Sequence, residues 1–268
     1  MSSWMRRWFV LAATLLFWSG PALADDRLTG LHESVLTAVW RPLAPGFDRL
    51  ATSVDPSHGL TLFAYRFAPA HVSMRVVPQV NPGGSSAGEV AAAAKAGLII
   101  NAGFFWITPK ADLAPTGWLK SMGKTLAPRK SCRACAGVVY ADKSGIHIAR
   151  ERGIKTESVI TDAVQVGPLL VERGAVITFK PDGPAAQRSA ICLDHDGNVV
   201  VAAALSPLTL FELAELMQTP GTKGGFGCET ALNLDGGPST QIAVSIPGAE
   251  ENLGTARPVQ NFLAFALR

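Results

Sequence analysis

No excess of either charge marks this sequence. Twenty-four basic residues, less Arg6 and Arg7 at the N-terminus, face twenty-one acidic ones, which leaves a mature net charge of about +1. A basic footprint for nucleic acid is therefore missing, and any partner must be recognised locally. No Pro/Ser-rich linker and no internal repeat divides the chain, so one sizeable domain is expected. There is no long apolar stretch either: the run from Trp8 to Trp18 is too short to favour a membrane span. "DGGPS" (235–239) is not a G-x-S-x-G elbow and the "GGSS" loop (83–86) lacks the Lys-Ser/Thr ending of a P-loop, which argues against the serine hydrolase and P-loop classes at those places.

What stands at the N-terminus is a targeting pattern. Arg6 and Arg7 precede the apolar run, and Ala22-Leu23-Ala24 supplies a small-x-small cleavage site. Residues 1–24 are expected to be a secretory signal peptide, with a lead-in segment over 25–59 and the main domain over 60–268. The expected location is periplasmic or secreted, with no stable membrane span after cleavage. Four cysteines in an exported chain, Cys132, Cys135, Cys192 and Cys228, fit two disulfides, and three pairings are open. "CRAC" has the spacing of half a zinc site or a redox pair, yet no second CxxC and no nearby ligand histidine accompanies it. No metal site or cofactor is expected; a divalent cation finds no support in the sequence.

Strand signals dominate the rest. "LTLFAYRF" and "VSMRVV" read as strands, as do "AGVVYADKSGIHIAR", "AVQVGPLLVERGAVITF", "SAICLDHDGNVVVAAAL" and "VQNFLAFAL". Two capping boxes announce helices: Ser86 with Glu89, opening an Ala-rich helix stopped by Gly97, and Thr209 with Glu212, opening "LFELAELM". "LDHDGN" has the opening of a calcium loop but lacks its distal glutamate, so a hairpin turn is expected. The architecture read from this pattern is α+β: one strand-rich domain with a mixed β-sheet and a few flanking helices.

The chemistry concentrates in "ALNLDGGPST", residues 231–240. A hairpin needs Asp235 and Gly236 at most. The longer set puts an aspartate at a strand end, with Gly236 and Gly237 admitting a close ligand and Ser239 and Thr240 offering hydroxyls. Asp235 can serve as acid, base or nucleophile, or simply cap a turn. Asn101, after "LII", can orient a sugar hydroxyl or satisfy loop backbone groups.

Five stretches in this order, "NAGFF" (101–105), "VGPLL" (166–170), "QRSAI" (187–191), "LNLDGGPST" (232–240) and "RPVQNFL" (257–263), resemble the signature blocks of the phosphodiester glycosidase family. Ala102-Gly103 stands where that family often has Gly-Gly, and Pro238-Ser239 where it has Gly-Ser. The resemblance implies a hydrolase that cleaves a glycosidic bond in a sugar-1-phosphodiester or related glycoconjugate, and a carbohydrate or glycosyl-phosphate partner. It marks Asp235 and Arg188 as catalytic, and Asn101, Gly103, Gly236, Gly237, Ser239, Thr240 and Arg257 as substrate-binding. Arg188 and Arg257 are the expected phosphodiester readers, since a guanidinium fork meets two oxygens at once. The block order also brings Cys192 and Cys228 toward one site, which favours pairing them and leaves Cys132 with Cys135.

Ordinary glycoside hydrolysis uses two carboxyl groups. Glu229 shares strand parity with Asp235 but lies roughly 20 Å away along extended chain, too far for a partner. A phosphate leaving group needs little protonation, so one carboxylate and an arginine can suffice. Two other classes compete. A serine hydrolase would use Ser239, but none of the five histidines falls in a signature block. A non-catalytic carbohydrate-binding envelope protein would use the same arginines and loops.

Overall fold

Alternating apolar residues build this protein into three antiparallel sheets that share one interior. The computed structural model describes residues 21–52, 60–132 and 134–268. Residues 1–20, most of the expected signal peptide, lie outside the described residues. Helix α1 (Pro21–Leu36) runs across the expected cleavage position. Leu31 and Val35 are buried against α3 (Leu210–Gln218) and the large sheet, and Arg27 forms an ion pair with Glu212. Helix α2 (Ala87–Ala94) covers the sheet that carries Asn101.

The large sheet has eight strands in the order Arg41–Ala44, Phe47–Ala51, Leu62–Phe67, Val199–Leu208, Ala186–Asp194, Cys228–Asn233, Leu169–Glu172 and Ala175–Val176. The first two come from the lead-in segment. A second sheet orders Gly145–Arg150, Gly137–Asp142, Asp162–Val166, Leu119–Ser121 and Lys124–Ala127. A third orders Glu251–Gly254, Gln241–Val244, Leu98–Asn101, Asn261–Leu267 and Val72–Pro78, and a small hairpin pairs Phe105–Ile107 with Leu113–Pro115.

The expected mixed sheet is corrected here: every ladder among the described residues is antiparallel, and there are several sheets. The helices do not serve as parallel crossovers, and the fold is mostly β. The reason is local. "LDHDGN" is a tight turn in which the Asp194 carboxylate accepts from the N–H groups of Asp196 and Asn198, so its flanking strands must run antiparallel.

Both capping boxes form as expected, on Ser86/Glu89 and Thr209/Glu212. The stop at Gly97 does not. Lys95 adopts the left-handed conformation at φ 50° and ends α2 earlier, while Gly97 sits beyond it against Ile246.

All three sheets contribute to the main core. Stacked rings of Phe47, Phe67 and Phe265, with centroids 4.4 and 5.2 Å apart, join the large sheet to the third. Burial of each such side chain contributes about 1.5–3 kcal/mol. A polar tie spans the same two sheets: the Tyr65 hydroxyl and the Arg49 guanidinium both donate to Glu251. Burial and the Glu251 carboxylate together push the Tyr65 phenol well above its ordinary range. Both expected disulfides are present, with Cα atoms 5.9 Å apart in Cys192–Cys228 and 5.1 Å in Cys132–Cys135. No helix among the described residues is long and apolar enough to cross a membrane.

Candidate active site

The strand Cys228–Asn233 pairs with Ala186–Asp194 and carries the chain to Leu234, whose N–H donates to the Ser189 carbonyl. Asp235 then leaves the large sheet and donates its N–H to the Ala102 carbonyl, at the end of the third sheet's strand Leu98–Asn101. The site therefore lies where two sheets meet end to end, and buried amides hold the seam. Asn101 Nδ2 donates to the Asp235 carbonyl at 2.6 Å, while its Oδ1 accepts from Ser189 Oγ at 2.7 Å and from Gln241 N at 3.1 Å. Asn261 Oδ1 accepts from Gly103 N at 2.6 Å. Asn233 Nδ2 donates to the carbonyl of Gly167, next to Pro168. All five quoted blocks thus touch one another through hydrogen bonds or backbone packing.

The Asp235 carboxyl is mostly buried, and burial pushes its pKa above the usual aspartate value. Three groups oppose that shift: hydrogen bonding from Ser239, the Gly236 N–H at 2.9 Å from Oδ1, and the positive charge of Arg257. Arg257 is exposed, in the loop after strand Glu251–Gly254. Its backbone is held by Gln241, which donates from Nε2 to the Arg257 carbonyl at 2.8 Å and accepts on Oε1 from Ala87 N at the start of α2. Thr255 donates its hydroxyl to the Pro238 carbonyl, closing the same loop onto the Asp235 turn.

Arg188 has different partners. Its Nε donates to the Leu208 carbonyl at 2.9 Å and a terminal nitrogen to the Pro184 carbonyl at 2.8 Å. Strand alternation accounts for this: Ser189 and Ile191 face Asn101 and the main core, whereas Ala190 and Cys192 face α3, and Arg188 shares their parity. Burial lowers its pKa from the ordinary guanidinium value, and of the two expected arginines it is Arg257 whose charge acts on Asp235.

The glycines divide by cause. A Cβ on Gly103 would meet Val164 at 2.8 Å and Asn261 at 3.0 Å, and one on Gly236 would meet the Gln187 carbonyl at 2.7 Å. Both allow close packing of the protein on itself. Gly237, at φ +57°, faces open space beside Asp235, as a ligand-admitting position requires. Ser239 and Thr240 are buried, and the Thr240 hydroxyl has no hydrogen-bond partner among the described residues. The described residues hold no group of three or more His, Cys, Asp or Glu suited to a metal ion.

The phosphodiester glycosidase family profile matches residues 94–266, which takes in all five blocks. The chain belongs to the phosphodiester glycosidase family. No curated protein matches this family member. Among solved structures, the catalytic domain of zebrafish N-acetylglucosamine-1-phosphodiester alpha-N-acetylglucosaminidase, auto-inhibited by its pro-peptide, aligns with TM-score 0.63 at 15% identity, covering 84% of this chain and 85% of that one. A Synechocystis protein described as hypothetical aligns with TM-score 0.60 at 18% identity over 86% of this chain; the match spans only 64% of that protein. A Burkholderia pseudomallei protein described as exported aligns with TM-score 0.56 at 12% identity, covering 77% of this chain and 74% of that one. At these identities the likeness is one of fold.

Sequence reading missed Gln241, Asn261, Asn233 and Ser189. All four are buried, and the available signal was a polar side chain standing at the edge of or within an apolar strand run, as Asn233 does between Leu232 and Leu234.

Proposed function

We propose that this family member is an exported hydrolase that cleaves the glycosidic bond of a sugar-1-phosphodiester, with Asp235 as general base and Arg257 on the departing phosphate. The observation that carries the reading is the pairing of a mostly buried carboxyl, its proton affinity raised by burial, with an exposed guanidinium whose charge reaches it. A raised pKa makes the carboxylate a better proton acceptor near neutral pH.

In the proposed reaction, water is placed against the anomeric carbon and gives its proton to Asp235 as its oxygen bonds to C1. The bond from C1 to the ester oxygen breaks, and its electron pair leaves on the phosphate. That group departs as a phosphate monoester without prior protonation, its charge met by Arg257. Asp235 then returns the proton to solvent. Gly237 and Ser239 line the approach, Gly236 packs the turn against Gln187, and Thr240 is buried beside them. Asn101, Ser189 and Gln241 position the carboxyl and the Arg257 loop, and Arg188 braces the entrance of its strand.

The test is turnover of the purified mature protein on sugar-1-phosphodiesters and on plain aryl glycosides. Release of a phosphate monoester is expected, and Arg257→Lys should lower kcat/KM at least about tenfold by removing the fork. Cleavage of plain glycosides alone would remove the phosphate argument. Tight binding without cleavage would favour a carbohydrate-binding protein instead.

A further inference from the structure

A cationic cavity lies away from Asp235. It has a volume of about 480 Å³ and forms where an edge of the second sheet meets the large sheet. Ile148 and Arg150 come from the strand Gly145–Arg150, and Arg152 from the turn that follows. Leu169, Glu172 and Arg173 come from the hairpin Leu169–Glu172/Ala175–Val176, and Thr230 from the strand leading to Asp235. Five residues of extended chain separate Thr230 from Asp235, about 17 Å, so the two sites are distinct.

Three guanidinium groups stand round one carboxylate here. Arg150 makes a bidentate pair with Glu172, Nε to Oε1 at 2.7 Å and a terminal nitrogen to Oε2 at 2.8 Å. The positive charges of Arg152 and Arg173 act on the same carboxylate, which is held below the usual glutamate range chiefly by Arg150. Glu172 thus neutralises one arginine and fixes its fork, and the cavity keeps two positive charges on side chains that are exposed. Ile148 and the edge of the core residue Leu169 add apolar lining, and Thr230 a hydroxyl.

From this arrangement we infer a second binding site, for a small phosphate-bearing ligand such as a sugar phosphate, held by Arg152 and Arg173 with its ring against Ile148 and Leu169. Arg152 and Arg173 form no salt bridge among the described residues, and their two guanidinium groups match the charge of a phosphate monoester dianion, with the planar fork favouring its oxygens over a halide. Glu172 repels the anion from the rear of the cavity and so directs it to the outer pair. The site is independent of the hydrolytic reading.

Isothermal titration with inorganic phosphate and with glucose 1-phosphate at low ionic strength tests it. The intact protein should bind phosphate at this cavity, more weakly as salt rises. The double variant Arg152→Gln/Arg173→Gln should lose at least tenfold in affinity while keeping its melting temperature, since both side chains are exposed. Arg257→Gln should leave this binding in place. Glucose 1-phosphate should bind more tightly than phosphate, and Ile148→Ala, at a half-buried lining position, should reduce that advantage. Binding lost in Arg257→Gln but kept in the double variant would place the anion at the Asp235 site and overturn the inference. Absence of binding at millimolar phosphate would also overturn it.

Discussion

Replacing Asn101 with alanine tests the central claim about how the carboxyl is positioned. Asn101 is 1% exposed and makes three hydrogen bonds, to the Asp235 carbonyl, the Gln241 N–H and the Ser189 hydroxyl. The hydroxyl can rotate to another acceptor, but the two backbone groups are fixed by the strands around them. Leaving a buried polar group unpaired costs about 1–3 kcal/mol. Two such groups, with the small cavity the truncation leaves, put the loss for Asn101→Ala at about 3–5 kcal/mol. Ser189→Ala removes one bond and should cost about 1 kcal/mol. A domain stable by about 5–15 kcal/mol stays folded after Ser189→Ala, whereas Asn101→Ala leaves it largely folded only if its stability exceeds about 6 kcal/mol. Urea unfolding followed by tryptophan fluorescence gives both numbers, with an unchanged m-value as the control. Asn101→Asp keeps the shape and acceptor but sets a carboxylate against the Asp235 carbonyl at neutral pH, so its stability should recover on acidification. A loss below about 1 kcal/mol for Asn101→Ala would show that the seam does not depend on this amide.

Asp235→Asn should lower turnover at least ~10²-fold while binding of intact substrate survives. The stability sign runs the other way: a carboxyl whose folded pKa is raised contributes its stability below its unfolded pKa, about 3.9, and loses it as pH rises through the folded value. At pH 7 the asparagine variant should therefore melt no lower than the parent, and any advantage should vanish below about pH 4; a large loss at pH 7 would contradict the burial argument. Removing Cys192–Cys228, whose sequence separation is 36, should cost about 4 kcal/mol in the chain-entropy account, against about 1.6 kcal/mol for Cys132–Cys135 with separation 3. Equal losses in paired alanine variants would refute that ordering. Gly236→Ala must displace the Gln187 carbonyl and should disrupt the site, whereas Gly237→Ala meets no atom and should cost only the left-handed strain, about 1–2 kcal/mol; melting curves of the two should differ accordingly.

Much of this was readable in advance because the signals were local. Ser86/Glu89 and Thr209/Glu212 carry their own helix starts, and Asp235 stands at the end of an apolar run followed by two glycines. Side-chain direction at Arg188 was not local: it follows from the parity of a strand whose facing layers are set by distant sheets. Strand direction was not local either, since a helix between two strands reads alike whether or not it is a crossover. Gln241 shows the same limit, because its partners at Ala87 and Arg257 are 154 and 16 residues away.

The last strand has a consequence for biogenesis. Asn261–Leu267 does not sit at the margin of its sheet but lies between Leu98–Asn101 and Val72–Pro78. Asn261 also fixes the Gly103 turn, 158 residues earlier. A nascent chain in which residues 261–267 have not yet emerged has a gap in the middle of that sheet and an unsupported site. Contacts of such sequence separation form slowly. The seam between the two sheets therefore closes only after residues 261–267 have joined the third sheet, so ordering of the candidate site waits on one late-synthesised strand.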